Sequence, residues 1–519
     1  VSVAEKSGPQ TGVAPQPAPS AGGPRSTFGR LLGRGNAEPG RDKSPRALDQ
    51  RRADRAGLPR TVDLSQPLPR RLLTSRMVWL GVVMLIAYAV FLVLLYNQVV
   101  PDRRVPGGRL IGLGHEAVPI SAKYAAFTAV PLALVFLWVD RFRPQRLPVW
   151  FMAFGWGACI ATFVAAQVNT WAAGHLSIVG DGDPATGARA AIYVAPFVEE
   201  ACKATVLFWM AILMRYRWVS RLTGITLAGL SAAGFAFVEN ILYYGRVYRY
   251  AANTFGAIQP EDALHQLFIL RGVLTFFGHP LFTSMTGIGL AIALRSKSKV
   301  VRVVAPLAGY CAAAFLHMTF NTISSFVSGT QLLLMYIFLA LPAVIAMITF
   351  IVRQELREGR LIRERLTDYV RVGWLPEEDV VPMSRLRTRL RAIWQSIFLG
   401  PPVFLATFKV QRAETELAYL RDAMTRGVVD DAGQLREKVL LATIRAERGQ
   451  AVIQPERRAA YHRVKELFVR KRVAPAYAPP QYPGPAGLGG SLPAPGTAPI
   501  GPAATRLSEV DPNWKPPGE

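Results

Sequence analysis

Between Ala188 and Leu213 the chain reads ARAAIYVAPFVEEACKATVLFWMAIL, with Glu199 and Glu200 side by side in the middle of a stretch otherwise dominated by apolar residues. The stretch is long enough to cross a bilayer as one helix. A charged side chain at that depth costs roughly 2.5 to 3.5 kcal/mol even on insertion scales, so a pair of them points to binding or chemistry. Three later apolar segments repeat the anomaly with Glu239 and Asn240, then His279, then His317 and Asn321. A helical bundle that gathers these groups encloses a polar site within lipid.

The 519 residues are 51% hydrophobic, with the apolar residues concentrated in long runs between about Met77 and Val352. That distribution predicts an all-α, polytopic transmembrane bundle. The formal net charge of +25 raises the question of a nucleic-acid partner. The basic residues instead cluster in the termini and in alternate connections, as the positive-inside rule requires, and no aromatic and basic binding motif accompanies them. We therefore expect no nucleic-acid partner. Cys159, Cys202 and Cys311 lie in apolar segments without paired spacing, which excludes a disulfide framework and a cysteine zinc site and suggests small buried residues.

Eight candidate spans are predicted near 77–99, 118–139, 149–168, 188–213, 222–244, 267–294, 301–325 and 331–352. An even number puts both termini on one side. Arg141, Arg143 and Arg146, then Arg215, Arg217 and Arg221, then Arg295, Lys297, Lys299 and Arg302 mark that side as cytoplasmic in a plasma-membrane protein. Asp181, Asp183, Glu261 and Asp262 occupy the outer loops, where Arg103, Arg104 and Arg109 mildly dissent. The basic leader, 1–76, lacks periodic apolar positions and is expected to be disordered. No cleavable signal peptide is visible, so the first span reads as an internal anchor. Residues 353–473 read as a cytoplasmic helical extension with breaks at Gly373 to Pro376 and Gly400 to Pro402. Residues 393–408 within it suit a hairpin at the membrane surface better than a ninth span. The Pro- and Gly-rich tail, 474–519, is expected to be disordered.

On one helix Glu199 and Lys203 share a face, while Glu200 points about 100 degrees away. Lys203 can thus neutralise one carboxylate and leave the other to accept a proton from water. A lone Glu–Lys pair is equally well a packing device, but it leaves the second glutamate unexplained. His317 and Asn321 share a helical face in the same way. Two histidines on separate spans, with unpaired glutamates, supply the nitrogen and oxygen ligands of a catalytic zinc site. His115, His175 and His265 in outer loops and His462 in the extension read as ordinary surface residues.

Glu199-Glu200-x-x-Lys203, Phe235-x-x-x-Glu239-Asn240, His279 followed after seven residues by Gly287, and His317-x-x-x-Asn321 resemble, in order and span placement, the four motifs of the PrsW family of intramembrane proteases. The resemblance covers roughly 77–352. That family is related to the CAAX prenyl proteases and bacteriocin-processing enzymes, and its best-known members cut an anti-sigma factor on its extracytoplasmic side. The resemblance implies peptide-bond hydrolysis of a membrane-protein or peptide substrate. The leader and the extension depart from the compact members, so substrate identity does not carry over.

With both termini inside, Glu199 lies about 11 residues, or roughly 17 Å, below the outer end of its span, and the other groups fall in the middle to outer half of the bilayer. The expected mechanism has Glu199 of the pair as base, with Glu200 beside it and Lys203 tuning both. Glu239, His279 and His317 are expected to hold a divalent metal, zinc by the chemistry of the ligands, and Asn240 and Asn321 complete the site, Asn321 as oxyanion donor. A metal-free mechanism using glutamate and histidine alone competes with it. The alternatives from other classes are a proton-coupled transporter or channel, since such groups also mark proton relays, and a non-catalytic escort of membrane proteins.

Overall fold

The computed structural model describes residues 67–455 apart from 74, 106–107, 143–144, 146, 177–183, 216–217, 219, 255, 257, 428 and 430–431. The expected disordered leader (up to residue 66) and tail, and Arg143, Arg146, Asp181, Asp183, Arg217 and His462, lie outside the described residues.

A short helix α1 (Leu68–Leu73) precedes α2 (Arg76–Val99), which is apolar on every face and peripheral. Outward Leu, Val and Ile side chains on all sides are what a helix in contact with lipid requires. A two-stranded antiparallel hairpin, β1 (Arg103–Val105) and β2 (Gly108–Leu110), leads to α3 (Gly114–Val139). Then follow α4 (Leu147–Leu176), α5 (Pro184–Tyr193), α6 (Ala195–Leu213), α7 (Arg221–Asn253) and α8 (Pro260–Phe268). After a π-helical turn, Ile269–Leu274, come α9 (Gly278–Leu294), α10 (Lys299–Phe326) and α11 (Gly329–Arg371). Among the described residues, seven helical segments, α8 and α9 counted together, are long and apolar enough to cross a membrane. The remaining predicted span includes α6, which lies within the bundle and carries Glu199, Glu200 and Lys203 together in its middle.

That fourth span is not one uninterrupted helix. It breaks at Val194, between α5 and α6. Pro196 in the first turn of α6 lacks an N–H and restricts the residue before it, so the chain bends where the sequence looked continuous. The sixth predicted span is likewise interrupted, with α9 starting afresh at Gly278 one residue before His279.

Helix α7 is the axis of the bundle and is largely buried. Its small residues let neighbours approach to backbone contact. A Cβ on Gly224 would lie 2.2 Å from the Gly287 carbonyl oxygen of α9, and one on Gly234 would lie 2.0 Å from the Phe154 oxygen of α4. Around it Leu132, Phe136, Met152, Leu207, Met210, Leu222, Ile225 and Leu290 form the main core. Ser220 and Ser298 cap α7 and α10 by accepting from the N–H of Thr223 and Val301.

Helix α11 leaves the bundle without a break and ends at Arg371, where Gly373, at φ 73°, turns the chain. Helices α12 (Glu377–Ser384), α13 (Leu386–Phe398), α14 (Pro401–Thr425) and α15 (Ala432–Glu447) complete the C-terminal extension. Gly400, at φ 104°, makes the turn between α13 and α14. The core of the extension joins Ile362, Leu366 and Tyr369 to Val410, Leu417, Leu440 and Ile444, and includes Phe142 from the end of α3. Arg389 donates to the Phe142 carbonyl oxygen at 2.9 Å, and Arg141 pairs with Glu355 at 2.6 Å. All three cysteines are free. Cys159 and Cys202 are half-buried, but Cys311 is exposed, since α10 turns that face outward.

Candidate active site

Five helices bring their polar residues to one place in the bundle. Helix α6 contributes Glu199, Glu200 and Lys203, all buried. Lys203 reaches both carboxylates, at 2.8 Å from Glu200 Oε1 and 3.5 Å from Glu199 Oε2. The closer partner is the residue three positions back, which shares the helix face as well as the residue four back does. The ammonium also lies 4.1 Å above the Phe235 ring, a favourable place for a desolvated cation.

Each histidine is held from behind by a carboxylate. His317, buried on α10, places Nδ1 3.1 Å from Glu200 Oε1 and turns Nε2 toward Glu199 Oε2 at 3.9 Å. His279, near the start of α9, places Nε2 2.8 Å from Glu239 Oε2, while Lys203 Nζ approaches its Nδ1 at 2.8 Å. The two rings meet edge to face at 5.1 Å, and Phe282 stacks on His317. Thr283 donates to Glu200 Oε2 at 2.7 Å, and Asn169 of α4 donates to Glu199 Oε1 at 3.1 Å. Glu199 Oε2 is the exception, buried and accepting no hydrogen bond.

The expected ligand set was Glu239, His279 and His317. The distances group Glu199, His279 and His317, one ligand atom of each lying within 4.8 Å of the other two. Glu239 is instead engaged by His279 and by Arg271 Nη2 at 2.7 Å. The carboxylate–imidazole set fits a divalent metal on three counts. Its donor types suit zinc. Glu199 Oε2 is an orphaned acceptor aimed among the histidines. Each imidazole has its other nitrogen on a carboxylate, the arrangement that orients metal-bound histidine. The Lys203 ammonium among these atoms already shows them aimed at positive charge.

Asn240, beside Glu239, accepts from Arg271 Nε at 3.1 Å, and Asn321 Nδ2 donates to the Ala191 oxygen of α5 at 2.8 Å. A cavity of about 340 Å³ opens on the cluster and is lined by Glu199, Glu239, Asn240, His279, His317 and Asn321. Asn169, Thr283 and Arg271 were not singled out in the sequence. For Arg271 a signal existed, since a lone arginine inside the apolar 267–294 segment is the same anomaly that exposed the glutamates. Asn169 and Thr283 look like ordinary polar residues. The other described histidines serve elsewhere: His115 meets the Tyr96 hydroxyl at 2.7 Å, His175 meets the Trp171 oxygen, and His265 packs against Tyr124.

Residues 145–347 match the family model of PrsW family intramembrane metalloproteases. No curated protein and no solved structure matches the chain.

Proposed function

We propose that the chain, whose residues 145–347 match the family model of PrsW family intramembrane metalloproteases, is a membrane-embedded, metal-dependent peptidase that hydrolyses a membrane protein near its extracytoplasmic boundary. The observation that carries this reading is the clustering of Glu199, His279 and His317 around an orphaned carboxylate oxygen on a cavity. Both termini are assigned to the cytoplasmic side of the plasma membrane, because Arg141, Arg295 and Lys297 gather where the extension packs on the bundle. The site lies toward the other end of α10, beyond its midpoint. The leader, extension and tail are assigned to the cytoplasm with the termini. A membrane-anchored anti-sigma factor, the substrate of the best-known family members, is the first candidate to test.

Glu199, His279 and His317 would hold the metal, which we take to be zinc, and the chemistry it would supply there is a water acidic enough to serve as the nucleophile near neutral pH. Glu200 fixes the His317 ring through Nδ1, and Lys203 balances the charge of Glu200. Glu239 exchanges roles with Glu199 relative to the sequence expectation and takes the proton of the attacking water. Its side chain is the most accessible of the three carboxylates, 14% exposed against 8% and 0% for Glu199 and Glu200. Asn321 uses one amide N–H on Ala191 and has a second for the developing oxyanion. Asn240 holds the Arg271 side chain beside Glu239.

The test compares membrane and released fragments from cells carrying wild type or the Glu199→Gln, Glu200→Gln double variant at matched expression. Selective loss of fragments of one membrane protein supports the reading and nominates the substrate. Identical profiles across several stress conditions sink it and favour a transporter or an escort. Metal analysis of the purified chain is expected to find stoichiometric zinc that is lost in His279→Ala.

A further inference from the structure

The arginine that meets Glu239 comes from an unusual piece of backbone. Arg271 sits on the π-helical turn Ile269–Leu274, between α8 and α9. Single π turns of this kind interrupt the α-helical ladder and re-aim a side chain. The turn is tied to α3, since Thr128 Oγ1 donates to the Gly272 oxygen at 3.0 Å. From there the guanidinium makes three contacts with one helix: Glu239 Oε2 at 2.7 Å, Asn240 Oδ1 at 3.1 Å and the face of the Tyr243 ring at 3.8 Å. Glu239, Asn240 and Tyr243 lie on adjacent positions of α7, so the planar fork is matched in shape as well as charge. Glu239 Oε2 is shared, accepting from Arg271 on one side and facing His279 Nε2 on the other.

We propose that Arg271 is a positioning residue of the metal centre, which holds Glu239 at the angle that fixes the His279 ring and leaves its Nδ1 directed into the cluster. The chain of contacts is Arg271 to Glu239 to His279, and from His279 to the metal. This rests on His279 being a ligand. Without Arg271, Glu239 keeps its charge but loses the fork that orients it, and the imidazole gains rotational freedom. Outer partners of this kind typically contribute 10- to 100-fold in metal affinity.

Simple electrostatics predicts the opposite sign. A cation this near a metal site repels the ion, so removing a bystander arginine tightens binding. Zn²⁺ alone, titrated against a chromophoric chelator into the purified full chain in detergent, separates the two. The expected result is a loss in affinity for Arg271→Gln of up to about 10- to 100-fold, and a double variant with Glu239→Gln that binds no more weakly than Glu239→Gln alone, because Arg271 acts only through Glu239. Unchanged or tighter binding in Arg271→Gln overturns the proposal, as does a fully additive double variant. If Arg271→Gln does not fold, Arg271→Lys carries the test. It keeps the charge but not the fork, so positioning predicts weaker binding and a bystander role predicts none. Failure of wild type itself to bind Zn²⁺ overturns the metal reading and this proposal with it. Wild-type binding that is lost in His279→Ala but intact in Arg271→Gln overturns this proposal alone.

Discussion

Glu199 in the bundle and Glu414 in the extension are both buried carboxylates with an oxygen that accepts no hydrogen bond. Their surroundings differ. Glu199 faces two imidazoles and a lysine on a cavity, and its neighbours arrive from five helices. Both oxygens of Glu414 are without a partner, and no histidine occurs between 353 and 455. Burial and the negative charge of Asp379 push the Glu414 carboxyl well above its usual range, so it keeps its proton more readily. Nearby, Arg389 spends its hydrogen bonds on the neutral oxygens of Thr415, Phe142 and Gln411, and burial lowers its pKa to about 10. An orphaned buried carboxylate is therefore not in itself a sign of chemistry. Convergence of different ligand types on an accessible space is.

The contrast breaks most readily at the histidines. His317→Ala removes one of the three groups proposed to hold the metal and is expected to take cleavage below detection while the protein still inserts and purifies. Retained cleavage would dissolve the distinction. Glu239→Gln is expected to reduce kcat by about 10² to 10⁴-fold, the usual contribution of a general base, measured on the substrate that fragment comparison nominates. Asn321→Ala should reduce kcat by roughly 10² to 10³-fold with KM little changed, if its free N–H serves the oxyanion.

The extension predicts effects on stability alone. Arg389→Met leaves the Phe142 oxygen without its donor and is expected to cost about 1 to 3 kcal/mol, seen in thermal unfolding of the full chain, with Zn²⁺ binding unchanged. The smallest effect belongs to Glu414. Its folded-state pKa is raised, so the folded protein holds the proton more tightly than the unfolded chain does. The stability it contributes is present below the ordinary carboxylate range and is lost as pH rises toward the raised value. Glu414→Gln should flatten that decline and leave the midpoint at pH 8 equal to or above wild type. A steeper decline would contradict the assignment.

Much of this was legible because charge in an apolar run is costly wherever it occurs. Glu199, Glu239, His279 and His317 stood out one by one, and their helices follow from segment length. Helix rotation and contacts between helices were not legible. Nothing local distinguishes Glu199 from Glu200, and Lys203 reaches both. Which carboxylate groups with the two histidines depends on where α9 begins, and that depends on a break before Gly278 which hydropathy alone does not register. The bend at Val194 was readable from Pro196, whereas the uninterrupted passage of α11 into the extension runs through a change of composition that suggested a boundary.

Phe142 belongs to a core otherwise built from residues 362–444. In biosynthetic terms, the third helix is threaded into the membrane more than two hundred residues before its aromatic end finds a home. During that interval one rim of the bundle carries an uncovered ring, and the extension arrives as its cover. A fragment starting at 353 would lack this residue and Arg389's carbonyl partner from the outset, so the seam between bundle and extension is a stitch across the chain and a poor place to cut it.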